Sequence, residues 1–115
     1  MGATVLGLMS GTSADGVDAV LARFDGAPRR PRWRVLNAIH HPYPLPLRQQ
    51  LLDAGQGVSL SAAQWLELRQ AVSEVQASCA AAADPEQKAH LVGCHGQTLW
   101  HQPPQTGQCG ASWQL

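Results

Sequence analysis

Residues 7–18 read Gly7-Leu8-Met9-Ser10-Gly11-Thr12-Ser13-Ala14-Asp15-Gly16-Val17-Asp18, and the rest of the chain is organised around them. An apolar run, Thr4–Met9, leads into this stretch, and a second apolar run, Val17–Phe24, overlaps its end. Both runs are too short for helices and contain β-forming valines, which favours two antiparallel strands joined by a turn. The residues between them, Ser10–Gly16, are small, hydroxyl-bearing or acidic, as is typical of an exposed turn.

The composition of this turn also suits an anion. Gly11 and Gly16 permit positive φ and let a ligand approach the backbone closely. Because no side chain in the turn is longer than a carboxylate, its backbone N–H groups can form an anion-binding concavity. Thr12 and Ser13 add hydroxyl donors. The turn therefore favours a phosphate-binding loop, although a plain hairpin turn is the commoner use of such residues.

Two carboxylates accompany the turn. Asp15 and Asp18 would repel a bare phosphate, but both make sense if a divalent cation binds together with it. This combination indicates a nucleotide with Mg²⁺. The stretch is not a Walker A loop, because no Gly-Lys-Ser/Thr follows, and it lacks the dinucleotide-binding pattern Gly-x-Gly-x-x-Gly.

The overall composition restricts the class of protein. A chain of 115 residues that is 44% hydrophobic and 14% charged predicts one globular domain. The low charge suggests that part of the surface is covered, by the remainder of a longer protein or by a partner subunit, as in a homodimer. A formal net charge of zero gives no general attraction to nucleic acid or to an acidic membrane. The arginine cluster within residues 29–34 is interleaved with prolines and is expected to form a solvated turn.

The cysteines and the N-terminal residues predict a cytoplasmic protein. Cys79, Cys94 and Cys109 are odd in number and contain no Cys-x-x-Cys pair, which fits reduced thiols in the cytosol better than a disulfide framework. Their spacing does not match a zinc site either. Met1–Met9 lacks a basic segment, and Ser10 interrupts the apolar run far short of a signal peptide or membrane span. We therefore expect a soluble protein with no membrane partner.

A third strand and a short helix are predicted next. Trp33–His40 follows the turn signal Asp25–Pro28 and has enough β-branched and aromatic residues for a strand. Because neighbouring strand residues point to opposite faces, the adjacent histidines at its end do not predict a metal site. Pro46 suits the first position of a helix that carries leucines on one face and ends at Gly55.

A longer helix follows. Ser61 can cap its start, with Gln64 at the capping-box position, and Asp84-Pro85 is expected to end it. Its apolar residues follow a spacing of three and four, which predicts a narrow stripe packed on a sheet. The stripe consists of Trp65, Leu68, Val72, Val75, Cys79 and Ala82. The buried thiol of Cys79 is then most simply part of the core.

The last part of the chain predicts a second polar site. Leu91–Cys94 is a short apolar run that predicts a buried strand after a crossover, and His95, Gln97 and Thr98 would lie at its carboxyl end, where open α/β sheets bind ligands. These side chains offer donors and acceptors suited to sugar hydroxyls or an acetamido group. The alternative is a polar turn whose histidine satisfies a backbone group. Residues 102–110 then form a loop rich in Pro, Gly and Gln.

Three segments together closely resemble the anhydro-N-acetylmuramic acid kinase family. Residues 11–18 match its signature Gly-Thr-Ser-x-Asp-Gly-Val-Asp, and residues 92–103 match its Ile-Gly-Ser-His-Gly-Gln-Thr-Val-x-His-x-Pro, with Cys94 in place of the usual Ser. The run Tyr43-Pro44-Leu45-Pro46-Leu47-Arg48 resembles the Pro-rich approach to the family's first helix. The resemblance covers essentially the whole chain, but members of the family are much longer, so the chain resembles the N-terminal third of one.

The resemblance implies a fold and an activity. The fold is α/β, of the ribonuclease H-like type found in actin and sugar-kinase ATPases, with a three-strand meander followed by helices and a further strand. Residues 1–115 would be the N-terminal part of the first of two domains, the second being absent from this chain. The parent enzyme would use ATP and water to open 1,6-anhydro-N-acetylmuramic acid and form N-acetylmuramic acid 6-phosphate, in the recycling of cell-wall sugars.

The resemblance also implies roles for particular residues. The ATP phosphates would bind to the loop made of Gly11, Thr12, Ser13, Ala14, Asp15, Gly16, Val17 and Asp18. Asp18 and Asp15 would hold Mg²⁺, and His95, Gln97 and Thr98 would contact the amino sugar. No catalytic residue is assigned in this chain, because the aspartate that activates water is expected beyond Leu115. The chain alone is therefore expected to be inactive, and a nucleotide-binding or assembly module without catalysis is the alternative.

Overall fold

The computed structural model describes residues 2–115, so Met1 lies outside the description. Three strands, two helices and two further strands follow one another along these residues. They are β1 (Ala3–Ser10), β2 (Gly16–Ala27), β3 (Arg30–Pro42), α1 (Leu45–Gly55), α2 (Ala62–Ala83), β4 (Leu91–Gln102) and β5 (Ala111–Gln114). The strands form one sheet in the order β3-β2-β1-β4-β5.

The first strand lies at the centre of this sheet. It pairs with β2 antiparallel, and β2 pairs with β3 in the same way, so the predicted three-strand meander is confirmed. After the two helices the chain returns with β4 parallel to β1 on its other side. The carboxyl end of β1 at Ser10 therefore lies beside Gln97 in the interior of β4, next to the turn that joins β1 to β2.

Both helices begin and pack as the sequence predicts. Pro46 lies in the first turn of α1, and Ser61 caps α2 in a capping box with Gln64. The α2 stripe packs on β1, β2 and β3, with Val72 and Cys79 almost completely buried. The most buried apolar residues of the core are Leu6, Leu8, Ala14, Val17, Ala19, Leu21, Tyr43, Leu47, Leu51, Leu68, Val72, Cys79, Ala83 and Leu99.

The arginine-rich segment is a correction to the sequence analysis. The chain reverses at Pro28 and Arg29, and β3 already begins at Arg30, so the other arginines of the cluster lie on a strand. The pairing of β2 with β3 continues out to Ala27 and Arg30, which extends both strands beyond their predicted ends. A two-stranded extension leaves these side chains in water, so they are exposed as expected although they are not in a turn.

The fourth strand is a second correction. It has 12 residues, and Leu91–Cys94 at its start is exposed rather than buried, with Leu91 63% exposed. The reason is that α2 packs mainly on β1, β2 and β3, while α1 meets β4 only further along, where the carbonyl oxygen of Leu99 lies against Gly55. β4 also continues past its predicted end, because residues 95–98 lie inside the strand at a β-bulge and not at its carboxyl end.

The face of the sheet away from the helices is largely open. Met9, Val20, Phe24 and Leu91 are among its exposed apolar side chains. Gly7 and Gly93 lie side by side on adjacent strands of this sheet, and a Cβ at either would meet nothing within 4 Å. Neither α1 nor α2, the helices of residues 2–115, is long and apolar enough to cross a membrane.

We expect stability to decrease at alkaline pH because of Cys79. Burial raises the pKa of this thiol above its ordinary value of 9.0; Asp18 adds to the rise and a backbone hydrogen bond at His41 opposes it. The unfolded chain then loses this proton at lower pH than the folded chain. The contribution of Cys79 to the free energy of unfolding is therefore fully present below the pKa of the thiol in the unfolded chain. It is lost as pH rises through the higher pKa of the thiol in the folded chain. Burial likewise raises the pKa of Tyr43 above 10.0, which extends the loss to higher pH.

Thermal melting between about pH 7 and about pH 10 measures this effect. The melting temperature of the wild-type protein should fall more steeply above about pH 9 than that of Cys79→Ala, which cannot ionise there. Parallel curves for the two proteins would show that Cys79 does not carry the pH dependence.

Candidate functional site

The turn between β1 and β2 is open to solvent. Gly11, Thr12, Ser13 and Asp15 are exposed, and only Ala14 points inward, where it is 2% exposed. The N–H of Ala14 donates to the carbonyl oxygen of Gly11 at 3.1 Å and closes the turn. Ala14 also has a φ of 50°, whereas neither glycine of the turn has positive φ, so the expected backbone freedom at the two glycines is not what shapes the turn.

Several backbone donors of this exposed turn have no partner within residues 2–115. Within residues 2–115, the N–H groups of Thr12, Ser13 and Asp15 have no hydrogen-bond acceptor. A Cβ added to Gly11 would meet nothing within 4 Å, so the space in front of the turn is open. Successive unpaired amides beside open space form the kind of concavity that binds an anion.

The second glycine of the turn has a different surrounding. A Cβ at Gly16 would collide with the backbone carbonyl oxygen of His41 and lie 2.7 Å from the Cα of Pro42. The end of β3 can approach the turn this closely only because Gly16 has no side chain. The approach is fixed by a hydrogen bond from the N–H of Tyr43 to the carbonyl oxygen of Asp15, at 3.1 Å.

A buried polar cluster lies directly beneath the turn. The hydroxyl of Ser10 lies 2.6 Å from the carbonyl oxygen of Gly16 and 2.5 Å from Oε1 of Gln97, and the hydroxyl of Tyr43 donates to it at 3.2 Å. Nε2 of Gln97 donates to the carbonyl oxygens of Gly11 and Thr98, at 2.8 Å each. The turn and β4 are therefore connected through side chains that the sequence analysis did not connect.

The β-bulge in β4 decides where the predicted sugar-contact residues point. Leu8 pairs with Cys94 but Ser10 pairs with Gln97, so β4 has one residue more than β1 in this interval. Gly96 accommodates the extra residue by adopting a φ of 77°. His95 stays exposed on one side of the bulge, whereas Gln97 turns inward and is fully buried. In this structure, therefore, the side chain of Gln97 does not reach a ligand surface.

Both candidate magnesium ligands have a basic partner. The carboxylate of Asp15 accepts a hydrogen bond from Arg48 at 3.2 Å, and Arg48 also approaches the carbonyl oxygen of Ser13 at 3.4 Å. The carboxylate of Asp18 lies 2.8 Å from Nδ1 of His40 and is 68% exposed. No group of three or more metal-ligating side chains occurs within residues 2–115. A cation here would therefore depend on at most two of these side chains together with ligand oxygens and water.

Two hollows border the turn and divide the predicted residues. One, of about 580 Å³, lies on the open face of the sheet and is lined by Asp18 and His95 over the floor of Gly7 and Gly93. The other, of about 470 Å³, lies between α1 and β4 and brings Thr12 of the turn together with Thr98. Asp18 and His95 thus share one hollow, and Thr12 and Thr98 share the other. The predicted sugar-contact residues His95 and Thr98 therefore line different hollows.

Sequence reasoning missed three residues of this site, namely Ser10, Tyr43 and Arg48. Arg48 and Tyr43 belong to the Pro-rich segment, residues 43–48. The sequence identified this segment as a motif but did not indicate that it folds back against the turn. Ser10 follows the inward alternation of β1, so a buried hydroxyl could have been read from the strand pattern.

Comparison with known proteins identifies similar sequences along the whole chain. Residues 3–115 match the family model described as "Anhydro-N-acetylmuramic acid kinase". Curated proteins with that name include one from Synechococcus sp. (strain CC9605), 62% identical over 110 residues, and one from Parasynechococcus marenigrum (strain WH8102), 63% identical over 110 residues. Another from Prochlorococcus marinus (strain MIT 9303) is 59% identical over 111 residues. Each match covers 96% of this chain but only 29% of the relative's length.

Proposed function

The chain belongs to the anhydro-N-acetylmuramic acid kinase family, and from that membership we propose that it forms the N-terminal part of an ATP-dependent kinase. The whole protein would open 1,6-anhydro-N-acetylmuramic acid and phosphorylate it to N-acetylmuramic acid 6-phosphate, in the cytoplasm. The strand order β3-β2-β1-β4-β5 with a meander and a parallel crossover supports a ribonuclease H-like fold for this part.

The observation that carries the proposal is the open turn of residues 11–15. The unpaired N–H groups of Thr12 and Ser13 and the free space beside Gly11 fit the oxygens of a polyphosphate. Phosphoryl transfer depends mainly on positioning and on charge stabilisation. The turn would provide the positioning, because it is closed by its own hydrogen bond and held from beneath by Ser10 and Gln97.

For Mg²⁺ we propose Asp18 as the direct ligand. Mg²⁺ in such enzymes takes one or two carboxylates together with phosphate oxygens and water, and it neutralises the charge of the phosphates. Asp18 is exposed beside the turn, and within the described residues 2–115 His40 is the one side-chain partner of its carboxylate. Asp15 is held by Arg48, so we propose that the main role of Asp15 is to keep the guanidinium of Arg48 close to the turn.

For the sugar we propose contacts from His95 and Thr98, whose side chains border the two hollows beside the turn. Gln97 is buried, so its part would be indirect. The residue that activates water would come from a part of the protein outside this chain. We therefore propose that residues 1–115 alone do not catalyse the reaction.

The direct test measures ADP formation by the full-length protein that carries this chain. We expect ATP consumption only when 1,6-anhydro-N-acetylmuramic acid is present, and none by the 115-residue chain at equal concentration. Nucleotide binding by the full-length protein without turnover would instead favour the alternative, a nucleotide-binding or assembly module. Sugar-independent ATP consumption would contradict the proposed substrate, and turnover by the short chain would contradict its proposed inactivity.

A further inference from the structure

Gln97 is an unusual residue to find fully buried. Its side chain has 0% exposure in the interior of β4. Burial of an amide without hydrogen bonds is costly, and here every group of the amide is used: Oε1 faces the hydroxyl of Ser10, and Nε2 donates to Gly11 and Thr98. An amide is the side chain that offers two donors and one acceptor oxygen in this arrangement.

The partners of Gln97 lie on both sides of the candidate site. The carbonyl oxygen of Gly11 begins the turn, and Ser10 extends the same network to Gly16 at the end of the turn. The carbonyl oxygen of Thr98 belongs to β4, one residue beyond Gln97 and next to the bulge. One side chain thus fixes the phosphate-binding turn relative to the strand that carries the proposed sugar contacts.

We propose that Gln97 is a positioning residue that connects the nucleotide-binding and sugar-binding parts of the site, so that both take one shared conformation. This inference rests on the proposed function. Gln97 contacts neither ligand; it holds the turn in place through the carbonyl oxygen of Gly11 and keeps the bulge in register with the end of β1. Loss of its amide therefore weakens the binding of both ligands together.

The test replaces Gln97 by Met in the full-length protein, which keeps the length of the side chain and removes its hydrogen bonds. We expect the KM values for ATP and for the anhydro sugar both to rise by about 10-fold, the scale for losing a buried hydrogen-bonding partner. The matched control is Gln102→Met, on the same strand but exposed, which should leave both values unchanged. A rise in the sugar KM alone would mean direct sugar contact and would overturn the proposal.

A purely structural role predicts a different pattern. Gln97→Met would then lower the melting temperature but leave both KM values unchanged when they are measured well below it, and that result would also overturn the proposal. Ser10→Ala interrupts the same network from the other side. In the double variant the two effects should be less than additive, because both changes break one connection. Full additivity would show that the two residues act separately.

Two further measurements keep the test decisive if Gln97→Met does not fold or if the wild-type protein shows no turnover. Gln97→Glu preserves the shape but directs a carboxylate at two carbonyl oxygens, so its binding defect should shrink as pH falls and the carboxyl group is protonated. Backbone hydrogen exchange without ligands should be about 10-fold faster at Ala14, whose N–H makes the hydrogen bond that closes the turn, in Gln97→Glu than in the Gln102 control. Unchanged exchange in this turn would overturn the inference whatever the reaction is.

Discussion

Replacement of Asp18 by Asn in the full-length protein should lower turnover by about 10²-fold or more, the scale for removing one preorganised electrostatic element. Asp18 lies on β2 just after the turn, and its carboxylate is exposed rather than part of the core. Asn keeps the shape of the side chain but removes the charge that would hold Mg²⁺ beside the phosphates. The melting temperature should therefore change little while turnover falls, as steady-state kinetics and thermal melting can show together.

A matched control lies on the same strand. Asp25 is also partly exposed on β2 and forms an ion pair with Arg23, but it lies far along the strand from the turn. Asp25→Asn should leave turnover unchanged. Wild-type turnover in Asp18→Asn would show that Asp18 does not belong to the site. A larger loss of turnover in Asp15→Asn than in Asp18→Asn would mean that Asp15, and not Asp18, is the direct Mg²⁺ ligand.

Local patterns predicted the elements of this fold that depend on local physics. The meander followed from alternating apolar runs separated by turn residues, and α2 followed from the capping box at Ser61 together with its apolar stripe. The error at Leu91–Cys94 had a non-local cause. An apolar run predicts a buried strand only if a second layer covers it, and the helices of this chain lie over other parts of the sheet.

The candidate site was predictable to the same extent. The small, polar composition of residues 10–16 indicated an open turn, and the turn is open. The inward direction of Gln97 was not predictable, because a single extra residue at the β4 bulge reverses which face each following side chain occupies. The pairing of Asp15 with Arg48 likewise joins residues 33 positions apart, which no local pattern reports.

The two glycines of the turn should respond in opposite ways to the same change. In Gly16→Ala the new methyl group would collide with the backbone of β3 at His41 and Pro42, which cannot move without losing the strand pairing at this end. Overpacking of this kind typically costs about 1–3 kcal/mol. We expect the melting temperature to fall by about 10 °C, given the usual shift per kcal/mol in a domain of this size.

Gly11→Ala is the matched variant, since it adds the same methyl group five residues earlier, at the other end of the turn. Its Cβ would enter open space, so the melting temperature should stay close to that of the wild-type protein. The methyl group would, however, take up open space at the turn, next to the unpaired N–H group of Thr12, where the phosphates are proposed to bind. ATP affinity, measured by calorimetry on the full-length protein, should therefore fall by about 10-fold or more. Equal destabilisation by both variants, or unchanged ATP affinity in Gly11→Ala, would mean that the turn serves the fold and not a ligand.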